Sequence, residues 1–302
     1  VGLAVLLALA LALAPADLRQ ALSYMMNHPL EMALALLAYT GAFALRAVSW
    51  HPLIGVRVPL TKLFALLVGA LFLNHAAPAK AGDFARVYFI SRQVPAERAV
   101  VSVVLSRILD LVGLLAVLVA AWFLAGAGNR EEISLSIVAI VGVAVALFLF
   151  ARLKLPAFFE ARFSLDFRYV SRVQAALRET RLTALLESFA FAAPAWVLES
   201  SILLVVGWGL GLGLSAAEVV AATCFAVLVA AIPLTPGSLG TYEAGMVAIL
   251  LAFGIPAESA FAAAVTTHAI KFLYAFAVAP FALSEGLAAV RKGGSHEASV
   301  EV

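Results

Sequence analysis

Charge is what this sequence has least of. Of its 302 residues only 13% are Asp, Glu, Lys or Arg, while 64% are hydrophobic and the mean hydropathy is +1.06. A soluble domain is about one quarter charged, and no water-soluble fold could bury so much apolar surface. Cysteine is nearly absent too. The single Cys224 lies in an apolar run, which excludes a disulfide framework and a cysteine zinc site and reads as a small buried hydrophobe. There is no Gly-x-x-x-x-Gly-Lys-Ser/Thr loop, so no ATP-driven pump, and no His-x-x-x-His zinc helix. No Ser-His-Asp or paired-carboxylate arrangement is evident. No catalytic residues, metal or cofactor are therefore expected, and the net charge of +2 carries no signature of a nucleic-acid partner.

What is present is apolar length. The stretches 1–22, 30–49, 63–77, 99–125, 133–151, 188–210, 216–233, 237–253 and 258–284 mostly end at Pro, Gly or a charge, as helix ends do. About 20 residues are needed to cross a bilayer. Residues 1–14 are apolar or Gly without a Met start or basic leader, a poor fit to a signal peptide. They read as a first helix that runs past Pro15 to about Leu22 and whose beginning can lie before Val1. The stretch 63–77 is short, and the segment after it carries Lys80, Asp83, Arg86 and Arg92. Together they predict a re-entrant helical hairpin with its tip at 74–78, because non-helical backbone at that depth needs surrounding protein or a wet cavity.

Loop charges orient the bundle. The segments 51–62, 74–98, 152–187 and the tail after 284 hold fifteen Lys and Arg, against two in 15–29, 126–132, 211–217 and 254–258. This asymmetry predicts both termini inside, in a multi-pass protein of a bacterial inner membrane, with 152–187 as a cytoplasmic loop. Arg, Phe, Leu and Val recur at helical spacing over 158–187 and predict a helix lying on the cytoplasmic lipid surface. Residues 291–302 are small and polar and read as a disordered tail.

The sequence also repeats itself. Asn74-His-Ala-Ala-Pro78-Ala-Lys-Ala-Gly82 parallels Ile232-Pro-Leu-Thr-Pro236-Gly-Ser-Leu-Gly240, and Val94-Pro95-Ala96-Glu97 parallels Ile255-Pro256-Ala257-Glu258. Twelve residues beyond Pro95 and Pro256 stand Arg107 and His268, and three further on Asp110 and Lys271. The expected fold is therefore an all-α integral membrane bundle, one transmembrane domain over 1–302. It contains two inverted-topology repeats, about 1–125 and 133–284, each with about three spanning helices and a re-entrant helical hairpin.

Charges inside the apolar runs are Arg46, Arg107, Asp110, Glu199, Glu243 and Lys271, joined by His268. Each costs at least about 2.5–3.5 kcal/mol at the bilayer centre and needs a partner or water. Arg107 and Asp110 share a helix face, which suits either a self-neutralised pair or a polar cavity wall. His268 and Lys271 share a face as well; both are basic in type and need an acid such as Glu243, or an anionic ligand. Pro78 and Pro236 suit the first turn of a following helix, and Gly82, Gly237 and Gly240 permit close backbone approach. Two such helix starts, one from each leaflet, would gather unpaired N–H groups into an anion site near the midplane. Arg86, Arg107 and Lys271 would add charge for a phosphate. The alternative is glycines that only let helices pack closely.

At these residues the chain resembles the lysylphosphatidylglycerol synthase transmembrane-region family, also called flippase-like. The motifs are Arg46-Ala-Val-Ser-Trp50, Asn74…Pro78-x-x-x-Gly82-Asp83-x-x-Arg86, Ser106-Arg107-Ile-Leu-Asp110 and Pro236-Gly-Ser-Leu-Gly240-Thr-Tyr-Glu243. The resemblance adds Asn74 and Asp83 to the candidate substrate-binding residues, although Asp83 stands where the family usually has Glu, and His268 where it often has Arg or Tyr. It implies lipid translocation between leaflets rather than lipid synthesis, which in the family belongs to a separate soluble domain. The leading expectation is a lipid flippase or lipid transporter, not an enzyme, holding an anionic (phospho)lipid headgroup in a central polar cavity. One alternative is an ion- or proton-coupled transporter of a small anion with Asp110, Glu243 and His268 as a relay. Another is an accessory subunit of a lipid-modifying complex. Membrane lipids are the expected partners, together with a possible lipid-synthesising enzyme and a possible second copy of the chain.

Overall fold

A computed structural model describes residues 15–77, 81–126, 167–231 and 235–297. The expected apolar helix at 133–151, the start of the first helix, and Pro78 lie outside the described residues. Among the described residues all regular structure is helical. Four helices are long and apolar enough to cross a membrane: Pro29–Ile54, Ala96–Leu124, Leu182–Leu210 and Ala257–Ala282. In chain order the helices are α1 (Pro15–Asn27), α2 (Pro29–Ile54), α3 (Leu60–Ala76), α4 (Ala81–Ile90), α5 (Ala96–Leu124), α6 (Phe167–Glu179), α7 (Leu182–Glu199), α8 (Ser201–Leu210), α9 (Ala216–Ala230), α10 (Thr241–Ala252) and α11 (Ala257–Glu297). Sequence punctuation sets their ends. Pro29, Pro59 and Pro95 stand at or just before helix starts, Gly55 and Gly211 end α2 and α8 in the left-handed region, and Ser215 with Glu218 forms a capping box on α9.

The bundle is built around α2. It packs along α7, and α5 lies against both. Ser49 Oγ, 2.8 Å from the Ser188 carbonyl, donates across the α2–α7 crossing, so two small residues bring these helices together at a polar point. Trp50, Tyr39 and Phe43 of α2 and Leu203 and Val206 of α8 fill the shared core. Two shorter pairs sit beside it. α3 and α4 form one helical hairpin, and α9 and α10 form the other. At 17 and 10 residues, then 15 and 12, their arms are about 15–25 Å long, less than the roughly 30 Å of a hydrocarbon core.

Two local expectations are corrected. The amphipathic helix α6 packs on α5, with Val173, Ala176 and Leu177 against the core, so part of its apolar face meets protein instead of lipid. Two ion pairs of opposite sense join it to α5: Arg172 reaches Glu97 at 2.6 Å, and Glu179 lies 3.7 Å from Arg98. At the other end, α11 continues to Glu297, into the segment expected to be a disordered tail. The good helix formers Ala288, Ala289, Arg291 and Lys292 lead into it, and the helix runs on through Gly293 and Gly294, which are poor ones; residues 298–302 lie outside the described residues.

Both hairpins close on glycine. A side chain on Gly82 would overlap the carbonyl of Ala70, and one on Gly245 would press on Val229 and Ala226. Gly82→Val should therefore lower the thermal unfolding temperature of the detergent-solubilised protein by the equivalent of about 1–3 kcal/mol of overpacking strain. Gly207→Ala, whose added carbon meets only Leu212 at 4.0 Å, should leave it nearly unchanged.

Candidate functional site

The tips of the two hairpins meet. The turn Pro236–Ser238 between α9 and α10 packs against α3. Gly237 and Gly240 there take φ of 63° and 89°, the left-handed region that favours glycine, and a side chain on Gly237 would overlap the ring of Phe272. Around the junction lies a cavity of about 600 Å³. Asn74, His75 and Asp83 line it from the first hairpin, Thr235, Gly237 and Ser238 from the second, and Arg107, Asp110 and Trp196 from α5 and α7.

One N–H at each of these helix starts is satisfied from within. The Gly82 N–H donates to Asn74 Oδ1 at 2.9 Å, and the Gly240 N–H donates to Glu243 Oε2 at 2.7 Å. The Pro-x-x-x-Gly pattern predicts these two donors to be open to a ligand; the structure instead closes both. A side-chain acceptor within reach satisfies a buried N–H at once, and both tips carry one.

Each of the intramembrane charges named above has an ionisable partner of the opposite type among the described residues. Arg107 and Asp110 do not neutralise each other. Arg107 pairs with Asp83 at 2.7 Å, while Asp110 accepts from Arg46 Nε at 3.1 Å. Arg46 also reaches Glu199 at 2.7 Å, and Lys271 reaches the other oxygen of Glu199 at 2.9 Å. Arg46, Asp110, Glu199 and Lys271 thus form one neutral chain linking α2, α5, α7 and α11. Glu243 is taken by His268, with Nδ1 2.7 Å from Oε1, and both side chains are 4% exposed. Arg86 is buried between Asp83 at 3.3 Å, Ser106 Oγ at 2.7 Å and the face of Trp50 at 4.0 Å. Of the four ionisable groups expected on the cavity walls, Arg107 lines the cavity, its side chain 41% exposed, whereas Arg86, Glu243 and Lys271 lie buried behind it. The reason is electrostatic: Glu199 holds Lys271 and His268 holds Glu243 in the interior, while Arg86 reaches from Asp83 at the cavity back to Ser106 and Trp50.

The contacts recur in pairs. Asp83 with Arg107 joins α4 to α5, and Glu243 with His268 joins α10 to α11. Arg46 with Asp110 joins α2 to α5, and Glu199 with Lys271 joins α7 to α11, with the signs exchanged. Sequence reasoning noted Arg46 and Glu199 as intramembrane charges but left them out of the site. The signal was present, since Lys271 and His268 needed two acids and only Glu243 was offered. It missed His75, whose Nδ1 donates to the Leu71 carbonyl at 2.8 Å, and Trp196, whose Nε1 donates to the Asp110 carbonyl at 2.9 Å below Arg46.

Residues 1–279 match the family described as the lysylphosphatidylglycerol synthase TM region. The chain belongs to this family. A curated relative, the Glycosyltransferase AglD of Haloferax volcanii, is 26% identical over an alignment that covers 80% of this chain and 47% of that protein. The chain thus spans about half the length of the curated relative it matches. No solved structure matches it.

The ion chain has a measurable consequence. Glu199→Gln leaves Lys271 buried without its anion and removes one of the two held by Arg46, which should cost about 3–5 kcal/mol in thermal unfolding. Adding Lys271→Met should restore part of that loss, and Arg107→Ala, on the cavity surface, should cost much less than Glu199→Gln.

Proposed function

We propose that the protein moves a lipid with an anionic, phosphate-bearing headgroup between the leaflets of a bacterial inner membrane, as a carrier and not as an enzyme. The observation that carries this reading is the cavity at the meeting of the two hairpin tips, with the half-exposed guanidinium of Arg107 in its wall. Its volume of about 600 Å³ suits one headgroup and leaves acyl chains outside in the lipid. Arg107 offers a planar, two-pronged donor to a phosphate, and Asp83 is the internal anion that a phosphate would displace. Membership of the family supports a lipid-related role.

The repeat supplies the mechanism. Short hairpin arms, the matched charge pairs and the matched Pro-x-x-x-Gly tips support two re-entrant hairpins entering from opposite leaflets, related by a two-fold axis in the membrane plane. A headgroup held between the tips would be reachable from either side as the two halves rock. Both termini would be cytoplasmic, and a lipid-modifying enzyme is a natural neighbour, since the relative named a glycosyltransferase is about twice as long as this chain.

Purified protein in phosphatidylethanolamine–phosphatidylglycerol vesicles should accelerate the movement of NBD-labelled phosphatidylglycerol between leaflets, read by dithionite quenching. Arg107→Ala should abolish most of that acceleration while keeping the thermal unfolding temperature. Wild-type rates in Arg107→Ala would sink the assignment of the site, and uptake of free glycerol phosphate without lipid movement would favour a small-anion carrier. For orientation, a Cys224→Ser background with Ala175→Cys should resist an impermeant thiol reagent in intact cells, and one with Ala216→Cys should react. The reverse pattern would overturn the topology.

A further inference from the structure

The buried charges of this site differ in one respect. Arg46, Asp110, Glu199 and Lys271 balance as two cations and two anions, and Asp83 holds both Arg86 and the partly exposed Arg107. Among the described residues Glu243 has His268 as its ion-pair partner, and imidazole carries charge only when protonated. With a proton the pair is neutral. Without one it is a lone carboxylate beneath the second hairpin tip, with the residue only 3% exposed.

We propose that Glu243 and His268 form a proton-binding site, loaded from the central cavity through His75, that makes a proton travel with the anionic headgroup. The transport half of this statement rests on the lipid reading above; the proton site does not.

A short route exists. His75 lines the cavity, and because a carbonyl can only accept, its Nδ1 carries the hydrogen shared with Leu71. Its Nε2 therefore keeps a lone pair for a proton. The ring centroids of His75 and His268 are 6.3 Å apart, and Phe272 meets both edge-on at 4.4 and 5.0 Å while lying under Gly237 of the tip. His75 takes the proton from cavity water and hands it to His268, with Glu243 as its counter-charge. An O–H bond of the hydrated proton breaks as the N–H forms on His75, releasing water, and that N–H breaks in turn as one forms on His268.

The surroundings leave this pair as the variable one. On its own helices the pair meets Tyr242, 4.4 Å from the His268 ring, and Lys271, which Glu199 holds and which lies over the rings of Tyr242 and Tyr39. α3 contributes His75 and, at its far end, Lys62; α8 has no ionisable side chain. α9 carries buried Cys224 and, in its capping box, Glu218, and α1 carries Asp17, Arg19 and Tyr24. Coupling then follows from charge. An unloaded pair places a negative charge beside the cavity and opposes an anion; a loaded pair does not. By reciprocity, an anion in the cavity favours the proton. The effect falls on one hairpin only. Glu243 caps the second tip, whereas the first is capped by Asn74, an amide that does not titrate in this range.

The test uses the full chain in nanodiscs with Cys224→Ser and a bimane label at Thr235→Cys. Across a pH series the label should report one transition. Glu243→Gln, which keeps an oxygen for the Gly240 N–H, should abolish it. His75→Gln should keep the equilibrium transition and slow its appearance after a pH jump. A label at Ala77→Cys, on the first tip, should stay flat. A transition that survives Glu243→Gln, or none in the wild type, would overturn the proton site. In vesicles, a gradient of about one pH unit should enrich NBD-labelled phosphatidylglycerol in the leaflet facing the alkaline side, by up to about tenfold for one proton per lipid. Glu243→Gln should move the lipid without that bias. Lipid movement that ignores the gradient in the wild type would overturn the coupling, whereas no lipid movement with the titration intact would overturn only the lipid reading.

Discussion

Arg46 sits between Asp110 and Glu199, and through Glu199 it is tied to Lys271. Four helices meet at those four side chains. In hydrocarbon the desolvation of each charge is recovered only if its partner is present and well placed, so the network fixes how α2, α5, α7 and α11 sit relative to one another. The apolar core then fills in around it, with Trp196 and Phe43 covering the guanidinium of Arg46. The helix that carries Glu199 is interrupted next to it, at Ser200, whose hydroxyl donates to the Val197 carbonyl. The frame is permanent in charge, and the cavity lies beside it.

Much of this order was legible in the sequence. The apolar runs, their Pro and Gly boundaries and the short, charged segment after 77 carry the helices and both hairpins, because bilayer thickness and backbone satisfaction leave few options for an apolar chain. The meeting of the tips followed from the repeat. The pairing of the charges was less legible. Arg107 and Asp110 share a helix face, and local spacing favours pairing them with each other. Yet each turns to a partner on another helix, and sequence separations such as 64 residues for Arg46 and Asp110 leave no periodic trace. Asn74 and Glu243 were singled out as polar groups at the tips. Their role as caps depends on a distance of under 3 Å that no pattern of residue types encodes.

The cavity owes its character to what is withheld from it. Arg86 and Lys271 could have made it strongly basic, but Trp50 and Ser106 shelter the first and Glu199 the second. What remains at the wall is Arg107 with a carboxylate on one side in Asp83 and another nearby in Asp110. A site so balanced would hold an anion weakly enough to release it, which the proposed carrier requires.

The exchanged signs of the two outer pairs bear on assembly. Where α2 crosses α7, Arg46 meets Glu199 in the protein interior. Two copies of the α2 segment brought together in the same crossing would set guanidinium against guanidinium, and two copies of α7 would set carboxylate against carboxylate. At this crossing, opposite signs favour α2 against α7 over either helix against its own copy.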